Sequence, residues 1–221
     1  MALQLYSRVC LVPLVFSLLS VGTSTAKAIA QTTFPFDVVY NINVTLTPIP
    51  STDVSKAFVS GFNPDADYGL TNFLSIDNYS RVDPDTGNLV FVQDPAKFGL
   101  QGLPIGRDEF FGSGDDKLFA SSNATASFDF PNRQLVGSGT ITITGGAGKF
   151  SGATGIFNFN ETESLDQEPT APLKGKAFLS GSFQIPQKVP EPRTKAMIFG
   201  ICVIGIGLMS RRLNFKLLGE L

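Results

Sequence analysis

The sequence predicts an all-β fold: a single antiparallel β-barrel, with a two-sheet sandwich as second choice, flanked by an N-terminal signal helix and a C-terminal transmembrane helix. Three observations carry that prediction. Residues 36–46 alternate without a break, so that Phe36, Val38, Tyr40, Ile42, Val44 and Leu46 fall on one face while Asp37, Asn41, Asn43 and Thr45 fall on the other. Period two is the mark of a half-buried strand. Weaker repeats of the pattern recur at 56–62, 73–79, 88–92, 118–130, 135–144, 155–163 and 174–185. Between them lie turn clusters such as Asn63-Pro64-Asp65, Asp83-Pro84-Asp85-Thr86-Gly87, Gly112-Ser113-Gly114-Asp115 and Gly145-Gly146-Ala147-Gly148. No stretch between 31 and 190 sustains a 3.6-residue period, and seven to nine short strands joined by such turns make a barrel or a sandwich.

The middle of the chain must build its own core. Its only cysteines, Cys10 and Cys202, lie in terminal hydrophobic segments, so residues 31–190 can form no internal disulfide. Those 160 residues hold 17 of the 20 Phe and no Trp, which predicts a core built on phenylalanine. They also hold 10 of the 17 Lys and Arg but 17 of the 19 Asp and Glu, a net charge of −7. A nucleic-acid partner is thereby excluded: neutralising phosphates takes a basic stripe, and here the basic residues are scattered singly.

The two ends read as addresses. Residues 1–30 contain no acidic residue, with Arg8 ahead of an apolar run at 9–21 and small residues after it, the pattern of a secretory signal peptide. Signal peptidase could cut after Ala28 or after Ala30, because both Ala26-Lys27-Ala28 and Ala28-Ile29-Ala30 are small-x-small. At the other end, Val189-Pro190-Glu191-Pro192 is followed by a 15-residue apolar run at 196–210 and then by Arg211 and Arg212. Such a run makes about 22 Å of helix, short for a bilayer core unless flanking residues help.

That ordered tail resembles the PEP-CTERM sorting signal of Gram-negative bacteria, cyanobacteria among them. The resemblance implies an exosortase, a membrane cysteine protease that cuts near the motif and passes the exported domain to the cell surface. It divides the chain into a signal peptide at 1–30, an exported domain at 31–188, a sorting signal at 189–212 with its transmembrane helix at 196–210, and a cytoplasmic tail at 213–221. Until processing, the C-terminal helix would hold the protein in the membrane. Within the middle, the glycine-rich stretch 137–155 and the following Ile156-Phe157-Asn158-Phe159 resemble the strand, turn and strand of small β-barrels of the allene oxide cyclase and dirigent type. That likeness implies the barrel and brings no catalytic residue with it. Residues 68–73 and 111–119 resemble a recurrent kind of cyanobacterial PEP-CTERM protein.

Little in the exported domain points to catalysis. The chain has no histidine, which removes a Ser-His-Asp or Cys-His constellation and a histidine metal site. Asn63-x-Asp65-x-Asp67 opens like a calcium loop but carries Tyr68 where glycine belongs and Leu74 where a bidentate Glu belongs. Residues 112–118 match one calcium-binding nonapeptide without the stacked copies such sites need. Gly146-x-Gly148-Lys149 has Phe150 in place of the magnesium-binding hydroxyl of a phosphate loop. Asp108-Glu109 with Asp115-Asp116, or Glu161 with Glu163, could supply paired carboxylates for glycoside hydrolysis, yet such pairs read more simply as solvated surface. Asn43, Asn78, Asn123 and Asn160 each open a glycosylation sequon, explained by abundant Asn and Thr in strands and turns.

The expectation is therefore a non-enzymatic cell-envelope protein of structural or matrix type, needing no metal or cofactor, with an exopolysaccharide matrix as its partner outside the cell. The alternative is a barrel that binds a small apolar ligand. The two differ in their interior: phenylalanine fills a structural barrel, whereas a binding barrel has an open apolar cavity.

Overall fold

The computed structural model describes residues 30–166, 168 and 171–187. Nine strands follow in order: β1 Ala30–Pro48, β2 Val54–Phe62, β3 Asn72–Val82, β4 Leu89–Val92, β5 Arg107–Phe111, β6 Lys117–Asp129, β7 Gln134–Ala147, β8 Thr154–Ser164 and β9 Leu173–Gln187. All belong to one sheet, in which β2, β1, β9, β8, β7 and β6 are successive neighbours and β2 also pairs with β3. The short strands β4 and β5 share one place between β3 and β6, with β4 against the 79–82 end of β3 and β5 against its 72–76 end. The sheet thus closes into a ring, and ring closure leaves no strand edge unpaired.

The alternation expected of residues 36–46 is present, with Phe36, Tyr40, Ile42 and Val44 buried on the inner face of β1. The other periodic stretches coincide with β2, β3, β4, β6, β7, β8 and β9, with 88–92 and 118–130 each overrunning its strand by one residue. Strand β5 escapes the periodicity because it spans only five residues, three of them charged, ending in adjacent Phe110 and Phe111. In β3 the alternation slips. Ala57 pairs with Asn78 and Val59 with Ser75, so β3 carries one extra residue, and Asp77 adopts a φ of 58° there. The bulge reverses the faces beyond it. Tyr79, which unbroken alternation would send inward, instead packs with Val54 and Val92 on the other side, under Phe98 and Leu100 of the 93–106 loop. Its hydroxyl donates to the carbonyl of Pro104 at 2.7 Å.

Phenylalanine builds the core, as its abundance predicts. Phe36 stacks on Phe157 at 4.8 Å between ring centroids and meets Phe110 edge-on at 5.9 Å, while Phe73 lies 4.8 Å from Phe110. The glycine turn after β7 works as expected: Gly148 and Gly152 take positive φ, and between them Phe150 folds under the turn with 1% of its surface exposed. A smaller apolar cluster of Ala57, Leu89, Phe91, Ala126 and Leu135 forms a second packed group. Among the described residues no helix is long and apolar enough to cross a membrane. The motif Val189, Pro190, Glu191 and Pro192, the run 196–210, Arg211, Arg212 and Ala28 lie outside the described residues, and Ala30 opens β1.

Phe110→Ala removes a ring shared by four aromatic neighbours and should cost about 3–5 kcal/mol in urea unfolding. Phe130→Ala, at a site 73% exposed, should change stability by no more than about 0.5 kcal/mol. Equal losses at the two sites would contradict the burial pattern.

Candidate functional site

The inward positions of four neighbouring strands alternate between bulk and near absence. On β7, Leu135, Ile141 and Ile143 are buried on the same face as Gly137 and Gly139. On β8 that inner face reads Phe157, Phe159, Glu161, Glu163. The register sets Glu161 between Gly137 and Ala177, and Glu163 between Leu135 and Gly175. A Cβ added at Gly137 would stand 2.7 Å from Cγ of Glu161, so glycine there is what admits the glutamate side chain. Likewise a Cβ at Gly139 would stand 2.7 Å from the ring of Phe159. Small neighbours leave a cavity of about 40 Å³. Its polar lining is Ser75, Asn78, Ser122, Glu161 and Glu163, and its apolar lining draws on both clusters, Ile141, Phe159 and Leu179 from the larger, Phe91 and Leu135 from the smaller.

Polar side chains in and beside this chamber gather where the wall is irregular. The β3 bulge brings Asn78 onto the inner face, and the division between β4 and β5 puts Gln93 and Asp108 on either side of a loop whose neck is closed by Gly106 N–H donating to the Gln93 carbonyl at 2.8 Å. The Asn78 amide donates to the Ser75 hydroxyl at 3.1 Å, and the Gln93 amide to the Ser122 hydroxyl at 3.4 Å. Both amide nitrogens are thus engaged while their oxygens are not. Asn78 Oδ1, Gln93 Oε1 and both carboxyl oxygens of Asp108 and of Glu163 are buried with no hydrogen-bond partner in good geometry. Exposures of 0% for Asp108, 1% for Glu163, 6% for Asn78 and 7% for Gln93 deny them solvent.

Burial without a counter-charge dominates the electrostatics. Asp108 is pushed up to about 6 by loss of solvent, a rise that nearby Ser75, Ser122 and Gln93 hold down. Burial raises Glu161 as well, and Glu163 is raised by burial and then by the charge of Glu161. The basic residues on adjoining strands are spent outside: Lys56 pairs with Asp77, Arg107 and Lys117 with Glu109, and Lys174 and Lys176 are exposed on β9.

These positions correct the expectation of solvated surface pairs. Glu161 and Glu163 do share a strand face, but that face looks inward, continuing the parity of Phe157 and Phe159. That parity was the available signal. Asp108 and Glu109 lie on opposite faces of β5, and Asp116 pairs with Lys149 at 3.1 Å, so the acidic set 108, 109, 115 and 116 is not assembled. Asn63 forms a turn, its Oδ1 accepting from Asp65 N–H at 2.8 Å and its amide donating to the Val39 carbonyl. With Asp37, Asp65, Asp67, Val39 and Phe178 it edges an open groove of about 370 Å³. The described residues contain no group of three or more acidic or Cys side chains arranged to hold a metal ion. Residues 112–116 join β5 to β6, and Gly146 is pressed against the Phe150 and Lys117 carbonyls, leaving no phosphate cradle.

The outer face of β6 to β9 has a different character. Across the strands, Asn123, Thr140, Asn158 and Ser180 form one row, and Thr125, Ser138, Asn160 and Phe178 the next. Rows lie on strands about 4.8 Å apart, and neither contains a charge. This neutral hydroxyl and amide surface was missed because each strand was read for its inward residues.

No family model matches the chain, and no curated protein matches it. Among solved structures, a pterocarpan synthase dirigent protein is similar at 9% identity, covering 75% of this chain and 92% of that one, with a TM-score of 0.24. That likeness is too slight to carry fold or function across.

The three carboxyls bind protons more tightly folded than unfolded. Their contribution to stability is complete below the ordinary carboxylate range near ~4 and is lost as pH rises through about 6 for Asp108 and onward through the raised range of Glu161 and Glu163. Thermal midpoints should accordingly fall between pH 5 and pH 9, and Glu163→Gln, which keeps the shape of the protonated acid, should flatten that fall. A midpoint that rises over this interval would contradict the burial of these groups.

Proposed function

We propose that the chain is an exported, surface-sorted cell-envelope protein of structural or matrix type, without catalytic role, recognised by an exosortase through its C-terminal tail. In this reading the ring is a closed β-barrel that serves as a filled scaffold. The observation that carries it is the interior: aromatic rings occupy most of it, and the remaining cavity of about 40 Å³ is far below the roughly 300–1,000 Å³ of a small-molecule pocket. The same observation disfavours the alternative, a barrel that carries a small apolar ligand. The two uncharged rows across β6 to β9, in which seven of eight residues are Ser, Thr or Asn, suit contact with a hydrated neutral polysaccharide, whose hydroxyls pair with hydroxyls and amides at little electrostatic cost. Absence of disulfides in 31–190 leaves the envelope's redox state without effect on the fold.

Replacing Glu191 with Ala tests the sorting half of the proposal. The mature mass and cell-surface location of the protein should depend on Glu191 and on the presence of an exosortase; unchanged processing in both backgrounds would refute it. The matrix half is tested on the neutral face: Thr140→Lys with Asn158→Lys should leave the thermal midpoint within a few degrees and release the protein from the surface matrix. Full retention of the double variant would count against that face.

A further inference from the structure

We propose that the interior chamber is a binding site for one small cation of the ammonium class, held by Glu163 with Asn78 and Glu161. The inference concerns the inside of the ring and goes beyond the envelope role.

The chemistry of the ligand follows from what the chamber lacks. Among the side chains that line it, the buried atoms without a hydrogen-bond partner are all oxygens: Asn78 Oδ1 and both oxygens of Glu163. The Ser75 and Ser122 hydroxyls accept from the Asn78 and Gln93 amides and lie toward Asp108, which leaves Glu163 and Asn78 Oδ1 without a donor. A buried acceptor left without a donor costs about 1–3 kcal/mol, more for a charged group, so an occupant that donates in several directions is strongly favoured. Among the described residues on the adjoining strands no basic side chain reaches in, because Lys56, Arg107, Lys117, Lys174 and Lys176 all serve or face the outer surface. A positive occupant would therefore compete only with the protons these carboxyls hold.

Size sets the rest. About 40 Å³ is room enough for one ion of ammonium dimensions, and the Phe91, Leu135 and Phe159 side chains line it. Bulky quaternary amines cannot fit. A metal ion is disfavoured because the described residues bring no three acidic or Cys side chains together as ligands. Charge balances by exchange. The cation takes the place of a proton that Glu163 or Glu161 holds in the empty chamber, and that proton leaves to solvent.

The test uses the purified full chain at pH 8, with ammonium chloride, potassium chloride and tetramethylammonium chloride compared at equal ionic strength. Ammonium should raise the thermal midpoint saturably, by several degrees over both other salts, and at constant pH its binding should release a saturable fraction of one proton per chain beyond a protein-free blank. Glu163→Gln should abolish the difference between salts. As a second readout on unaltered protein, isotope-labelled ammonium should show slowly exchanging N–H protons in the presence of the chain. Equal response to ammonium and tetramethylammonium would show that water alone fills the chamber and would overturn the proposal. Equal response to ammonium and potassium would overturn the hydrogen-bonding ligand class, and so would an unaltered salt preference in Glu163→Gln.

Discussion

A sheet closed on itself has an interior of fixed width, and every inward side chain must share that space. This constraint governs the protein. Around most of the ring it is met by phenylalanine, whose rings meet edge-on and stacked at centroid separations of 4.8 to 6.4 Å. Where β6 to β9 supply Ala124, Ala126, Gly137, Gly139, Gly175 and Ala177 instead, the space reappears, and Glu161 and Glu163 extend into it. The chamber exists because glycine and alanine stand beside the glutamates; larger side chains at the same positions would close it.

The wall opposite is irregular for a related reason. An extra residue in β3 and the division of one strand place into β4 and β5 interrupt the ladder, and polar side chains gather at the interruption. Ser75, Asn78, Gln93, Asp108 and Ser122 are all there. The 93–106 loop covers the outside of this region, pinned by Tyr79 to Pro104 and by Arg81 lying 4.6 Å over the Phe98 ring. Bulges and split strands cost regular pairing, and such local departures from the ideal are the places where functional groups are commonly held.

The sequence displayed the inner faces of the long strands because alternation over many residues has one physical meaning. Residues 36–46 and 155–163 are of this kind, and the positive-φ turn between β7 and β8 followed from its glycines. Strand β5 stayed hidden because Arg107, Asp108 and Glu109 look like a surface run, and only pairing with β3 and β6 makes Asp108 an inward residue. The bulge at Asp77 was equally invisible: one extra residue has no compositional signature, yet it reverses Tyr79. Glu161 and Glu163 stand between these two cases. Their parity with Phe157 and Phe159 was legible, but the ordinary preference of carboxylates for water outweighed it.

The account of the protein's role stands or falls on where the native chain resides. The most direct measurement is the compartment and first residue of the protein recovered from its own cells. A chain beyond the inner membrane that begins at Ile29 or Gln31 is the predicted result; one that stays in the cytosol and retains Met1 would contradict it.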